Sequence, residues 1–375
     1  MMLIHFSNMF LDKPFSYYRN PDFGRHFRER LKNILAEVID ASIRRKVDGV
    51  LIAGNLFCED WVTEDTVRYV MGLLESLNHI PVFIAPGETD CLCEDSVYLY
   101  QAFPKNVYIF TKPVWEVISD DELPLCVVGC GKHKNVVADS ELPIQALNRD
   151  MSNICLVHTL GIQYEKIFLE NDTPFSYVAL GDYLFDEKKE LPNGVVLGRS
   201  GAPERFDFYQ PGTPGFNCVH FTLDQGRWKV SNVERLSVKG TTFQEIIVDC
   251  SNYTESEDLL HEVNLNVGVI PTPKVVKVKL VGKISLSMFN EVLKNIDKVL
   301  KECDDFVLSP DVEFVEVSEE YDCDSPFLLS EFFRIAKTEL NSISLDKAQQ
   351  AIRRGIYLVL SARMGKKPEL PWGIG

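Results

Sequence analysis

The sequence has no apolar run that approaches the roughly 20 residues needed to cross a bilayer. Its first residues also lack a basic segment followed by a long apolar one, so we expect no secretory leader and a cytoplasmic protein. Residues 1–4 are instead typical of the start of a strand. Hydrophobic residues make up 45% of the 375 residues, which is enough to bury the core of a globular protein without membrane contact.

A surplus of basic charge is also missing. The 39 lysines and arginines face 55 acidic residues, which gives a net charge of −16. An acidic surface repels a polyanion, which argues against a stand-alone nucleic-acid-binding protein. Basic residues are nevertheless concentrated between positions 19 and 46 and between 347 and 367, so the sequence does not exclude a basic patch on one face of an acidic protein.

Paired cysteine motifs are absent as well. The ten cysteines are scattered irregularly, and Cys91 and Cys93 are too close together for a typical zinc-binding pair. Cys126, Cys130 and Cys155 lie in apolar segments. We expect buried and reduced thiols, as in a cytosolic protein.

What the sequence does contain is a series of short apolar runs that each end on polar residues. They lie at residues 3–8, 48–57, 82–90, 154–158 and 177–182. Helices are predicted at 23–46 and 66–78, where apolar residues recur at spacings of three and four, and Thr63 is the predicted cap of the second helix. Alternating strands and helices predict a parallel sheet, whose polar strand ends meet at one edge.

The rest of the chain predicts a second sheet and further parts. Short strands with turns at 107–110, 114–118 and 126–130 favour a more antiparallel second sheet. A short helix is predicted at 142–148, and a meander over 195–197, 215–223 and 228–235 closes the domain. We therefore predict the α/β class, with a main domain at 1–238, a smaller α/β cap domain at 241–320 and a C-terminal helical segment at 325–375.

The five strand-end motifs, in this order, resemble those of calcineurin-like metallophosphoesterases. The resemblance runs through essentially the whole chain and is closest to the SbcD-type DNA-repair nucleases and their YhaO-like bacterial relatives. The motifs that carry it are 3–8 (LIHFSN), 51–57 (LIAGNLF), 80–90 (IPVFIAPGETD), 157–158 (VH) and 177–182 (YVALGD). The resemblance implies a four-layer α/β/β/α sandwich whose strand ends hold two divalent metals about 3.5–4 Å apart.

The chain departs from the family at the metal ligands. Where the family carries an Asp and then a His in its first motif, this chain has Asn8 and Phe10, and the bridging Asp of the second motif is Asn55. The Asn-His pair of the third motif is replaced by Glu88 and Thr89, and the two histidines of the fifth fall on Asp182 and Leu184, so that His158 alone is kept. Neutral amides and apolar side chains cannot offset the repulsion between two close cations. We therefore expect no two-metal centre, no bound cofactor and little or no nuclease activity.

Two interpretations of this region stay open. In one, His158 is a hydrogen-bonded remnant, with Glu88 and Asp182 solvated at the rim. In the other, Glu88, His158 and Asp182 reach one cavity beside Asn8 and Asn55 and bind a single Mn, Fe or Zn ion. Two neighbours of the site have structural expectations: a packed, hydrogen-bonded His5, and an Asp90 that braces the third turn. 

The resemblance also implies partners. In the SbcD-type family the nuclease subunit dimerises through helices near the second and third motifs, which here are residues 66–78 and the segment after Asp90. It pairs with an SbcC-type coiled-coil ATPase through C-terminal helices, which correspond here to 327–363. Three functions follow as alternatives: a non-catalytic dimeric scaffold acting with such an ATPase on DNA, an active phosphodiesterase with a rebuilt one-metal site, and an interaction module that no longer contacts DNA.

Overall fold

The structure is a computed structural model that describes residues 1–15, 21–120, 122–134, 141–170 and 172–315, together with 351, 354–359 and 362. The described part of the chain divides into two units, with the division in the main body between Gly240 and Thr241. Most of the predicted C-terminal segment at 325–375 lies outside the described residues. No helix among the described residues is long and apolar enough to cross a bilayer.

The helices and strands alternate along much of the chain. The helices are α1 (Pro21–Arg45), α2 (Glu64–Ser76), α3 (Val97–Tyr100), α4 (Ile162–Leu169), α5 (Ser256–Gly268) and α6 (Leu286–Val299). The strands are β1 (Met2–Phe6), β2 (Gly49–Ile52), β3 (Val82–Ile84), β4 (Val107–Ile109), β5 (Glu116–Ser119), β6 (Leu125–Gly129), β7 (Ser152–Val157), β8 (Phe175–Leu180), β9 (Asp186–Glu190), β10 (Val196–Ser200), β11 (Gly215–Asp224), β12 (Arg227–Ser237), β13 (Thr242–Asp249), β14 (Lys274–Ile284) and β15 (Asp305–Phe314). This content confirms the α/β class.

The first sheet has the order β12-β11-β1-β2-β3-β4. Strands β1 to β4 are parallel to one another, as the alternation of strands and helices predicts. On the other side of β1, β11 pairs with it in antiparallel fashion. Thr63 caps α2 as expected, because its hydroxyl accepts a hydrogen bond from the backbone N–H of Thr66. Because β1, β2 and β3 are parallel neighbours, their carboxyl ends lie side by side.

The second sheet corrects the sequence prediction. Its order is β5-β6-β7-β8-β10-β9, and the four central strands are parallel; antiparallel pairing occurs only at the two edges. The predicted meander is also wrong, because β10 belongs to this sheet while β11 and β12 belong to the first. The predicted helix at 142–148 is a single 3-10 turn, Ile144–Ala146. Strands β6 to β8 are buried along their whole length, as parallel strands covered on both faces are. The runs at 154–158 and 177–182 are β7 and β8, which are parallel as predicted, so the wrong direction concerns β6.

A shared core joins the two sheets of the first unit. Leu3, Leu51 and Phe83 of the first sheet belong to one buried cluster with Val127 and Leu156 of the second. Alternate residues point to opposite faces of a strand, and a separate buried cluster covers the other face of the second sheet and includes Phe168 of α4. The strand ends that carry the polar motifs are thus fixed by packing on the sheets that deliver them.

The second unit contains a parallel sheet of the order β13-β14-β15, with α5 and α6 as its crossovers. Its core includes Leu259, Val263 and Phe289 from the helices. Ile356 and Tyr357, in the part of the C-terminal segment that is described, are buried in the same core. These two side chains therefore pack on their own unit and are not exposed to a partner.

Candidate functional site

The loops after β1 and β2 have an unusual backbone. Asn8, Phe10 and Asn55 all have positive φ angles, of 58°, 47° and 56°. Asparagine tolerates this left-handed conformation, but a bulky side chain such as phenylalanine rarely adopts it. The two loops hold each other, since the N–H of Asn8 donates to the carbonyl of Gly54 at 3.0 Å and the N–H of Phe10 to that of Asn55 at 2.9 Å. Strained loops of this kind cluster at functional sites.

A network of side-chain amides fills the space between the loops. The backbone N–H of Thr89 can only donate, and it donates to Asn55 Oδ1 at 2.9 Å, which fixes the orientation of the Asn55 amide. Asn55 Nδ2 then donates to Asn8 Oδ1 at 2.8 Å, so that Asn8 Nδ2 faces the carbonyl oxygens of Gly181 and Tyr183 at 2.7 and 2.9 Å. Both asparagines are buried.

This network requires a donor at position 8. An aspartate there would set its oxygen against two carbonyl oxygens, and burial would leave that repulsion largely unscreened. The neutral amide is therefore the side chain that fits these surroundings, and the region is built around it.

His158, which falls on a metal-ligand position of the family that the motifs resemble, is part of the same network. Its Nδ1 lies 2.9 Å from the carbonyl oxygen of Ala53, so Nδ1 carries the proton that it donates there. Its Nε2 lies 3.3 Å from Asn55 Nδ2 and accepts from it. The side chain is buried, and the lone pair that would bind a metal is directed at an amide donor.

Asp90 braces the ends of β2 and β3, as the sequence suggests. One carboxylate oxygen accepts from the N–H groups of Asn55 and Gly87 at 2.9 and 2.7 Å. The other accepts from the N–H of Leu56 at 2.8 Å and from the Tyr98 hydroxyl at 2.7 Å. Burial, followed by the neighbouring charge of Asp90, raises the pKa of Tyr98 well above its ordinary value. The fully buried Asp90 thus serves as a structural anchor.

The two carboxylates expected to join His158 do not do so. Glu88 lies 2.9 Å from Lys132 Nζ and is more than half exposed, and Asp182 pairs with Arg199 at 2.8 Å. Burial alone would lower the pKa of Arg199, but its hydrogen bond to Asp182 raises it. The structure therefore does not bring Glu88 and Asp182 to His158, because a basic residue holds each carboxylate. Among the described residues, the His, Cys, Asp and Glu side chains bring three possible metal-ligand atoms close together at a single place, and that place lies away from this site.

Phe10, which replaces a family ligand, is packed among aromatic rings. It is 7% exposed and meets the ring of Phe206 edge to face at a centroid distance of 5.3 Å. The ammonium group of Lys13 lies 5.0 Å above the Phe10 ring, which is within the range of a cation–π interaction. The positive charge at this position is thus the ammonium group of Lys13.

His5 is a packed residue beside the site, as expected. It is fully buried between the sheets, and its Nδ1 forms a hydrogen bond of 2.9 Å with the Tyr177 hydroxyl. Burial, assisted by the positive charge of Arg235, lowers the pKa of His5 to about 3. The imidazole is therefore neutral at physiological pH.

The residues present do not fit two divalent metals. Such a centre needs several carboxylate and imidazole ligands and a bridging carboxylate, whereas this place holds Asn8, Asn55 and one hydrogen-bonded histidine. A scan against protein-family models finds no match for the chain, and a search of curated proteins finds no match either. Neither comparison shows a family for the chain, and the resemblance described above rests on the sequence motifs alone.

Sequence reasoning missed the cations that neutralise Glu88 and Asp182. Lys132 follows β6, and Arg199 lies within β10, far in sequence from the acids that they bind.

Proposed function

We propose that this chain is a non-catalytic relative of the SbcD-type metallophosphoesterase nucleases. It folds as a four-layer α/β/β/α sandwich with an α/β cap domain and acts as a dimeric scaffold, together with an SbcC-type coiled-coil ATPase, on DNA. The observation that carries the proposal is the amide network of Asn8, Asn55 and His158, which occupies the strand ends where the family holds its metals.

Three features support the scaffold part of the proposal. The first unit has two mixed sheets with a shared core, its strand ends carry the motifs in the family order, and Asn8, Phe10 and Asn55 keep a strained backbone. A strained loop is costly to maintain. Its persistence around neutral side chains is what a site that has lost its metals leaves behind.

The catalytic part is tested by metal content and turnover. The protein is dialysed against Mn²⁺, its bound metal is counted, and hydrolysis of a simple phosphodiester is measured. The proposal expects no stoichiometric metal and no turnover. Two metals per chain with turnover would refute it.

One result would favour the alternative of an active phosphodiesterase with a rebuilt site. A single Mn, Fe or Zn ion per chain, lost together with turnover in a Glu88→Gln or Asp182→Asn variant, would identify that enzyme. Both carboxylates are held by ion pairs at or near the surface, and such pairs contribute little free energy. A metal could therefore release them, which makes this outcome distinct from a two-metal centre.

The partner is tested with a deletion of 327–375. Residues 327–340 carry a dense set of apolar side chains (Leu328, Leu329, Phe332, Phe333, Ile335, Ala336), of the kind that docks into a groove or onto a partner helix. A co-expressed SbcC-type ATPase is expected to co-purify with the full chain and not with the truncated chain. Because the deletion also removes the buried Ile356 and Tyr357, a full-length Phe332→Asp, Phe333→Asp variant is tested beside it and is expected to lose the ATPase as well. Unchanged co-purification of both variants would count against this assignment.

The DNA part is tested by salt-dependent binding. The full chain is titrated with duplex DNA, with and without the ATPase, at several salt concentrations. The proposal expects binding that falls with salt in the complex and weak binding by the acidic chain alone. Absence of binding in both cases would favour an interaction module that no longer contacts DNA.

A further inference from the structure

A second group of potential ligands lies away from the strand-end site. Cys218 and His220 lie on β11 and Glu234 lies on the neighbouring strand β12. The Cys218 sulfur, a ring nitrogen of His220 and a carboxylate oxygen of Glu234 all lie within 4.8 Å of one another. No part of the proposed function uses these residues.

The strand pairing explains why the three side chains meet. Cys218 is directly opposite Glu234 in the antiparallel ladder, and opposite residues have Cβ atoms about 5 Å apart. His220 is two residues beyond Cys218, so it points to the same face of the sheet. Two rigid paired strands therefore present the group, and no loop has to be ordered to assemble it.

The ligand types match a borderline cation. Zinc binds thiolate at about 2.3 Å and imidazole or carboxylate at about 2.0–2.2 Å, so its ligand atoms lie about 3.5 Å apart in a tetrahedron. The three ligand atoms, all within 4.8 Å of one another, have to move closer together to reach this spacing. We propose that Cys218, His220 and Glu234 form a three-ligand Zn²⁺ site whose fourth position is open to water.

His220 supplies an independent indication. Its Nε2 is buried and has no hydrogen-bond partner, and the nearest carboxylate oxygen, Glu234 Oε2, is 3.5 Å away. A buried ring nitrogen that makes no hydrogen bond costs free energy. Coordination of a metal would satisfy it, whereas the existing contacts do not.

Arg45, the last residue of α1, competes with the metal for this place. Its guanidinium donates to both oxygens of Glu234, at 2.8 and 3.0 Å. The hydrogen bond from Arg45 lowers the pKa of Glu234, so the carboxylate is already ionised. Arg45 and Glu234 are each more than one-third exposed, so Arg45 can move into solvent and leave the three ligands to the cation.

Binding of Zn²⁺ releases one proton, which comes from the Cys218 thiol. A cysteine thiol is protonated near neutral pH when no metal is bound. When Zn²⁺ binds, the S–H bond breaks, the S–Zn bond forms and the proton passes to solvent. The guanidinium of Arg45 leaves with its charge unchanged. No oxidation or reduction takes place.

The test is a zinc titration against a competing chelator on the full chain. One Zn²⁺ per chain is expected. Cys218→Ser or His220→Ala should weaken binding by at least about 100-fold, since even loss of an outer partner of a ligand costs about 10–100-fold. Cys126→Ser, which changes another buried cysteine, is the matched control and should leave binding unchanged.

A variant of Arg45 gives the more specific part of the zinc-binding test. Arg45→Met removes a positive charge beside the metal and should tighten zinc binding by about tenfold or more, whereas Arg44→Met, one residue earlier on the same helix, should not. Co²⁺ bound to Arg45→Met should show a sulfur-to-cobalt charge-transfer absorption that is absent when Cys218→Ser is added. Zinc binding that survives Cys218→Ser and His220→Ala, or an Arg45→Met variant that binds no zinc at micromolar metal, would overturn the proposal.

Discussion

Asn55 donates its side-chain amide to Asn8 at 2.8 Å, across the place where the resembling family has a bridging aspartate and a second acid. The pair is complementary only while both side chains are neutral, because Asn55 donates to Asn8 and Asn8 in turn donates to two backbone carbonyls. The same contact therefore stabilises the loops and disfavours a carboxylate at either position.

The first prediction concerns this pair. The double variant Asn8→Asp, Asn55→Asp should lower the free energy of unfolding by about 2–4 kcal/mol in the presence of EDTA, because two buried carboxylates face each other and two carbonyls. Mn²⁺ should restore part of the loss, since a ligand that binds the native state alone stabilises it by mass action. The melting temperature with EDTA and with Mn²⁺ measures this. An equal Mn²⁺ effect on the unaltered protein would contradict the account.

The second prediction concerns Asp90. Asp90→Asn replaces an acceptor of hydrogen bonds from Asn55, Gly87, Leu56 and Tyr98 by a side chain that must present N–H groups to donors. We expect a loss of about 3 kcal/mol in the free energy of unfolding, measured in urea.

The matched control for Asp90 is the exposed Asp95 of the same loop. Asp95→Asn should change the free energy of unfolding by less than about 0.5 kcal/mol. If the two variants lost the same amount, Asp90 would not be the anchor of this region.

The third prediction is a pH dependence caused by His5. Its folded-state pKa is about 3, lowered by burial and then by Arg235, whereas the unfolded chain titrates near 6.5. The stabilisation is full above pH 6.5 and is lost as the pH falls toward 3, because the unfolded state then binds a proton that the native state does not. The slope should reach about 1.4 kcal/mol per pH unit.

Replacement of His5 isolates its contribution. Between pH 6.5 and 5, where carboxylates add less, His5→Gln should remove this slope from urea unfolding curves. His261→Gln, at an exposed position of α5, is the control and should leave the slope in place. A slope that persists in His5→Gln would assign the titration to another group.

The fourth prediction compares two glycines. A Cβ at Gly181 would overlap the carbonyl oxygen of Ala53 and lie 2.8 Å from His158 Nδ1, so Gly181→Ala should destabilise the protein by at least about 3 kcal/mol. Gly72 is exposed within α2 and has open space around it, so Gly72→Ala should stabilise the protein by about 0.5–1 kcal/mol. Thermal unfolding measures both. Equal effects would show that the close approach of strand ends at Gly181 is not a constraint.

Local patterns in the sequence predicted the parallel strands β1 to β3 of the first sheet, but not β4, β11 and β12, which belong to the same sheet. The periodic stretches that became α1 and α2, the Thr63 cap and the parallel order of β1 to β3 all depend on residues close together in sequence. Strand β9 was missed because all five of its residues are charged, which suits an edge strand but gives no apolar alternation. The direction of the buried strand β6 was missed because short strands with turns precede it, whereas the apolar runs of β7 and β8 were predicted as buried parallel strands.

The site was only partly predictable for a different reason. Residue types alone showed that Asn8 and Asn55 are poor metal ligands and that Asp90 suits a turn. The pairing of Asp182 with Arg199 and of Glu88 with Lys132 depends on contacts between distant parts of the chain. Such contacts leave no local pattern, so the sequence left open whether the two acids reach His158 or lie at the rim.

Crystals of the unaltered protein soaked in Mn²⁺ test the central claim most directly, through anomalous scattering at the ends of β1, β2 and β3. The account predicts no pair of anomalous peaks between Asn8, Asn55 and His158, with the amide network intact in the electron density. Two peaks about 3.5–4 Å apart at this place would show that the neutral side chains do hold a two-metal centre and would contradict it.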